Sequence, residues 1–234
     1  LNSENMSKSK KHTEDDKNIL AVEEALSRSE QFIERNQNGI MWAVAIIVLL
    51  NAGYIGYTRF ILAPREKDAS AEMFMAETWF EQDSLQLALD GNAEYPGFND
   101  IITSFRGTKS ARLARYYAGI SQLKLGNYDD AIKHLKKYRG RDQIVGAMAL
   151  GAIGDAYLEK GDQGSASRYY RKAYQYKPND LTTPLFLFKA GLLFEEMGQA
   201  SEALALYERI NKEYKNSAEG RNIERYIGRT GIQK

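Results

Sequence analysis

The sequence predicts an all-α protein, a single transmembrane helix followed by a solenoid of helical hairpins. Three observations carry that expectation. One uncharged apolar run is long enough to cross a bilayer, and three sets of small residues recur at a common period downstream of it. Only 4 Pro stand among 234 residues of which 43% are hydrophobic, so long helices are left uninterrupted and a sizeable core is available.

Composition removes several kinds of chemistry before any motif is read. With 32 Lys+Arg against 31 Asp+Glu the formal charge is +1, so the basic footprint of a nucleic-acid binder is missing and no nucleic-acid partner is expected. The chain has 0 Cys and 2 His, His12 and His134, which excludes disulfides, thiol chemistry and a Cys/His zinc cluster built from this chain alone. A lack of Cys fits both a cytoplasm and a bacterial envelope, so it does not place the protein.

The apolar run extends from Ile40 to Thr58, 19 residues without a charge, and continues through Phe60–Leu62 past Arg59. At ~1.5 Å per residue it reaches about 30 Å, the thickness of a hydrocarbon core. Trp42 at one end and Tyr54, Tyr57 and Phe60 at the other suit the two interfaces. A cleavable signal peptide fits less well, because the segment is too long, starts too late and lacks a small-x-small exit before Pro64. A membrane span over 39–62 is therefore expected to stay in the mature protein. Within it Asn51 is the one strongly polar residue, and Ala52 and Gly56 form a small patch beside it; the three are a candidate face for another membrane helix. Arg28 and Arg35 on one flank face Arg59, Arg65 and Lys67 on the other, so charge does not set the orientation.

Before the span, residues 1–38 are polar, and an amphipathic helix is expected from Thr13, with Ile19, Val22, Leu26 and Ile33 at helical spacing. Its polar face carries Glu23, Glu24, Glu30 and Glu34, which favours contact with protein over anionic lipid. Asn36-Gln37-Asn38-Gly39 is expected to interrupt it. After the span, 64–110 reads as a helix with Ala69, Met73, Ala76 and Phe80 on one stripe, then a degenerate hairpin around Trp79–Leu89, a Gly/Asn/Pro loop at Gly91–Gly97 and a helical piece near Ile101–Phe105.

The strongest signal lies in 111–216. Gly119, Gly154 and Gly191 are 35 and 37 residues apart; so are Gly126, Gly161 and Gly198; so are Ala131, Ala166 and Ala203. Three markers shifting together define three units, and the period is that of a two-helix repeat. The middle unit reads Ile153-Gly154, Tyr157, Gly161-Asp162, Ala166, Tyr170 and Pro178. It resembles a tetratricopeptide repeat over its whole length. Gly154 and Ala166 would be small so that paired helices approach closely, Gly161-Asp162 would make the break, and Thr183 would cap the third unit with Pro184 in its first turn. Ser217–Arg229, with Ile223, Tyr226 and Ile227, is expected to be a terminal helix that covers the last repeat, within a capping helix over 217–234.

In such a repeat the first helix of each pair faces one wall, which places Tyr116, Ile120, Leu123, Met148, Asp155, Leu158, Leu185, Phe188 and Leu192 there. Two readings stand: a groove for an apolar or aromatic segment of a partner, or a surface covered by the next repeat or the terminal helix. The Lys/Asn set of carboxylate-clamp members of the repeat family is missing from this wall, so their ligand is disfavoured. The basic run Lys133, His134, Lys136, Lys137, Arg139 and Arg141 reads as a solvated helix face, with an acidic partner as the other reading. No phosphate loop and no nucleophile constellation occurs around His134 or the glycines, so no catalytic residue, cofactor or metal ion is expected.

The order of polar helix, Asn/Gly break, single span ending in Gly53-Tyr54-Ile55-Gly56-Tyr57-Thr58-Arg59-Phe60, Ala-rich helix and tetratricopeptide-like pairs resembles the ancillary SecYEG translocon subunit family of bacteria. That resemblance implies a non-enzymatic adaptor in the inner membrane, with its N-terminus cytoplasmic and its repeats periplasmic. Its partners would be SecYEG, periplasmic chaperones and exported polypeptide segments. A scaffold subunit of another envelope complex, for secretion or cell-wall machinery, fits the same order of segments.

Overall fold

A computed structural model of the chain describes residues 33–231, and its contacts divide it into a unit up to Ile61 and a second unit from Leu62. The amphipathic helix expected from Thr13 lies outside the described residues, apart from Ile33.

In the first unit, residues 33–56 form helix α1. Asn36-Gln37-Asn38-Gly39 is helical, which corrects the expected interruption. Asn and Gly cost a helix interior roughly 0.5–1 kcal/mol each relative to Ala, and the strongly helical apolar run beyond them outweighs that cost. The large apolar side chains of α1, Trp42, Leu49, Leu50 and Tyr54 among them, are exposed. Among the described residues one helical stretch, Ile33–Glu81, is long and apolar enough to cross a membrane. Its backbone widens into a π-helical turn at Tyr57–Leu62. Pro64 explains the widening, since its ring would strike the carbonyl four residues back and it brings no N–H to bond there.

The second unit opens with α2 (Ala63–Glu81), whose buried stripe is Ala69, Met73, Ala76 and Trp79; Phe80, expected on that stripe, is only partly covered. A short turn leads to α3 (Leu85–Asp90), and a loop leads to α4 (Phe98–Ser104). These helices share a core of Met73, Trp79, Leu89, Phe98 and Ile101 with Ala114 and Ala118, in which the rings of Phe98 and Tyr117 stack at 5.2 Å. The first turn of α2 is tied to the end of α4 and to the residues that begin the first hairpin. Arg65 donates to the carbonyl of Ser104 at 2.7 Å, and Glu66 accepts from the backbone N–H groups of Lys109 and Ser110, where the positive end of the next helix favours a carboxylate.

Three hairpins complete the stack: α5 (Lys109–Lys124) with α6 (Tyr128–Lys137), α7 (Gln143–Glu159) with α8 (Gln163–Gln175), and α9 (Thr182–Glu196) with α10 (Ala200–Glu213). Each pair closes on the same contact, a glycine of the first helix against a bulky residue 16 positions later on the second: Gly119 on Leu135, Gly154 on Tyr170, Gly191 on Tyr207. Ala131, Ala166 and Ala203 are fully buried beside them. The turns are equally regular. Gly126, Gly161 and Gly198 hold φ of 81°, 78° and 73°, a left-handed conformation open to glycine. In the middle turn Gly161 donates to the carbonyl of Leu158 at 2.8 Å and Asp162 to that of Tyr157 at 2.9 Å, a Schellman closure that the other two repeat.

The third hairpin is not capped by Thr183. The carboxamide oxygen of Asn179 accepts from the N–H groups of Leu181 and Thr182, the helix starts at Thr182, and the Thr183 hydroxyl instead accepts from the N–H of Asn179. Asn179 stands two and three residues ahead of Leu181 and Thr182, within reach of the N–H groups at the start of the helix. The terminal helix expected from Ser217 starts later: turns and a single 3-10 turn at Gly220–Asn222 follow α10 and lead into α11 (Ile223–Gly231), whose Ile223 is fully buried in the core of the second and third hairpins.

Candidate functional site

Period and turn together decide what lines the open side of the stack. A cleft of about 620 Å³ lies between α5, α7 and α9, and Leu123, Leu158 and Leu192 supply its apolar surface. Asp155 sits among them. It accepts from the Tyr170 hydroxyl at 2.6 Å and from the Lys189 ammonium at 2.7 and 2.8 Å, so one carboxylate joins α7 to both α8 and α9. Burial, and then the neighbouring Asp155 charge, push the Tyr170 phenol far above its ordinary range, so it remains a donor at every physiological pH. Glu159 and Glu196, 37 residues apart and hence at equivalent positions of successive hairpins, stand on the rim. The Tyr128 hydroxyl donates to Glu159 and the Gln163 amide to Glu196. With Lys189 committed to Asp155, the two rim glutamates give the cleft an acidic edge over an apolar floor.

Of the nine wall positions expected from sequence, the cleft gathers four: Leu123, Asp155, Leu158 and Leu192. Tyr116 and Ile120 are half-buried on the core between the first two hairpins, where the Tyr116 ring lies 6.0 Å from that of Tyr138. Met148 and Leu185 pack on the core of the second and third hairpins. Phe188 is partly covered: Tyr226 of α11 meets it edge-on at 4.8 Å and Tyr207 flanks it at 6.0 Å. The apolar wall is thus shorter than the repeat pattern implies, because Tyr116, Ile120, Met148 and Leu185 pack on the hairpin cores and the terminal helix packs on Phe188. Lys189, Tyr170, Glu159 and Glu196 were not among the expected residues, although the 37-residue spacing of the two glutamates is readable in the sequence.

In α1, Asn51 donates its amide to the carbonyl of Ile47 at 2.8 Å, Ala52 is exposed and Gly56 has open space around it. Serving its own backbone in this way removes much of the cost of an amide on an apolar helix. The His134 imidazole is half-buried on α6; burial lowers its pKa, and Lys133, Arg115 and Lys137 lower it further against the opposing pull of Asp130. Among the described residues no group of three or more His, Asp or Glu side chains is placed to hold a metal ion.

A stack of helical hairpins, each closed by a small residue at a fixed place and with a cleft along its first helices, defines a helical-repeat protein. Models of the tetratricopeptide repeat match the three hairpins, at residues 113–142, 148–180 and 186–217. The chain therefore carries tetratricopeptide repeats, modules that mediate protein–protein interaction. No curated protein matches it.

Proposed function

We propose that the protein is a non-enzymatic, membrane-anchored adaptor that holds a partner polypeptide in the cleft between α5, α7 and α9. The observation that carries this reading is the cleft itself, with Leu192 exposed and Leu123 and Leu158 half-exposed inside repeats of a protein-binding kind and Glu159 and Glu196 on its rim. Its chemistry suits an apolar side chain flanked by a basic one. Anchoring through α1 raises the effective concentration of a modest site near membrane-bound clients, so no single contact has to be strong.

The more specific reading is an ancillary subunit of the SecYEG translocon, working with periplasmic chaperones on exported polypeptides. Under it the repeats are periplasmic and the N-terminus cytoplasmic, in a bacterial inner membrane. Its support is the order of segments, span before repeats. A scaffold of another envelope complex fits the same order of segments.

A photocrosslinking residue at Leu192, which is exposed, tests the cleft in native membranes. Crosslinks to exported chains or Sec components support the translocon reading, and crosslinks to one other envelope complex support the scaffold. Crosslinks no stronger than those from a residue on the opposite face of α9 would end the cleft reading. Because the chain has 0 Cys, single introduced cysteines before and after α1, labelled with a membrane-impermeant maleimide, test the topology separately.

A further inference from the structure

We infer that a cationic, tyrosine-walled pocket between α6, α7 and α8 is a second binding site, and that it takes an acidic segment of a partner polypeptide. The pocket, about 390 Å³, lies on the side of α7 opposite the cleft. At 3.6 residues per turn, Gly146, Ala149, Leu150 and Ile153 point one way from the α7 axis, whereas Asp155, Leu158 and Glu159 of the cleft point the other.

Three cations line the pocket, Lys136, Arg139 and Lys172, and no Asp or Glu does. None of the three is in an ion pair among the described residues. The nearest carboxylate along the chain, Asp142, is taken up in accepting from the N–H groups of Ile144 and Val145. The ammonium groups are held over aromatic faces instead: Lys172 stands 4.6 Å from the centre of the Tyr169 ring, and Lys136 5.8 Å from it while donating to the Tyr157 hydroxyl at 3.0 Å. Such contacts orient a charge without neutralising it.

The tyrosine walls depend on two glycines. A side chain at Gly140 would collide with the Tyr138 ring, and one at Gly146 with the Tyr176 ring, so both rings occupy space that only glycine leaves open. The result is an apolar floor of Ala149, Leu150 and Ile153 under a rim of positive charge. Carboxylates of a partner would meet unpaired ammonium and guanidinium groups, and an apolar residue between them would meet the floor. A net charge of +1 argues against a nucleic acid as occupant, because a phosphate backbone needs a positive field that extends well beyond one pocket.

The test uses the full chain in detergent micelles and a fluorescein-labelled heptapeptide with one Phe between two runs of Asp and Glu, read by anisotropy. Saturable binding that weakens about tenfold when Lys136→Gln and Lys172→Gln are combined is expected, since two charge-assisted contacts are lost. Both lysines are exposed, so the double variant should keep the wild-type circular dichroism spectrum. Leu192→Asp, in the cleft, should leave peptide binding unchanged, which separates this site from the adaptor reading. The inference is overturned if the double variant binds as wild type, if the peptide with Asn and Gln in place of its acids binds equally well, or if a single-stranded oligonucleotide of equal charge binds as tightly.

Discussion

Gly154 lies flat against the ring of Tyr170: a Cβ at residue 154 would stand 2.7 Å from both Cδ1 and Cε1 of that ring. The ring cannot withdraw, because Tyr170 is 2% exposed and its hydroxyl is anchored to Asp155. Gly154→Leu should therefore cost about 3 kcal/mol or more, the upper end of overpacking. For a unit of this size that lowers the melting temperature by roughly 6–12 °C. A melting temperature within a degree of wild type would show that the two helices do not meet there.

Glu195 accepts from Tyr207 at 2.9 Å, from Arg229 at 2.5 Å and from Thr230 at 2.6 Å, and so ties α9 to α10 and α11 at once. Glu195→Gln is expected to cost about 1–3 kcal/mol, since a charged acceptor of three donors is lost. Hydrogen exchange should rise first in 223–231.

The same carboxylate sets a pH dependence. Burial raises its pKa, but the hydrogen bonds from Arg229, Thr230 and Tyr207 outweigh burial and the net shift is downward from 4.5. Its contribution is complete above that value and is lost as pH falls through the lower folded one. Melting temperature should decline more steeply below pH 4.5 in the wild type than in Glu195→Gln.

His134 acts with the same sign at higher pH. Below 6.5 the unfolded imidazole takes up a proton that the half-buried folded one resists, so stability falls as pH drops from 6.5 towards the lower folded pKa. His134→Gln should flatten that part of the curve and leave stability above that range little changed. A profile identical to wild type would mean that the ring is solvated.

On α1 the expected outcome is a separation of insertion from partnership. Replacing Asn51, Ala52 and Gly56 together by Leu raises hydrophobicity, so membrane insertion should persist. If that face docks on another membrane helix, an interaction of ~0.6–2 kcal/mol for the polar contact is lost with the close approach. Co-purification of the membrane partner should fall. Recovery in wild-type yield would show that this face does not dock on a membrane partner.

The hairpins were legible because their tightest contacts demand the smallest residues. Gly119, Gly154 and Gly191 recur where a partner side chain presses on the backbone, and Gly126, Gly161 and Gly198 recur where φ turns positive. The cleft was less legible. Asp155 and Lys189 are 34 residues apart, off the repeat period, and their pairing depends on how α7 sits against α9. Phe188 reads as an open-wall residue by position alone, yet Tyr226 from outside the repeats packs on it. Asn36 to Gly39 read as a break from composition, but the helix formers beyond them decide the local backbone.

Solenoids have growing ends: an uncovered hairpin presents the surface that the next hairpin, or a hairpin of another molecule, would add to. Here α11 occupies that surface on the third hairpin through Ile223 and Tyr226, and α2 to α4 occupy it on the first through Phe98 and Ile101. Both sites of elongation are filled from within the chain. Addition of a further hairpin at those two surfaces is thereby blocked, and what stays open for association is the sides of the stack.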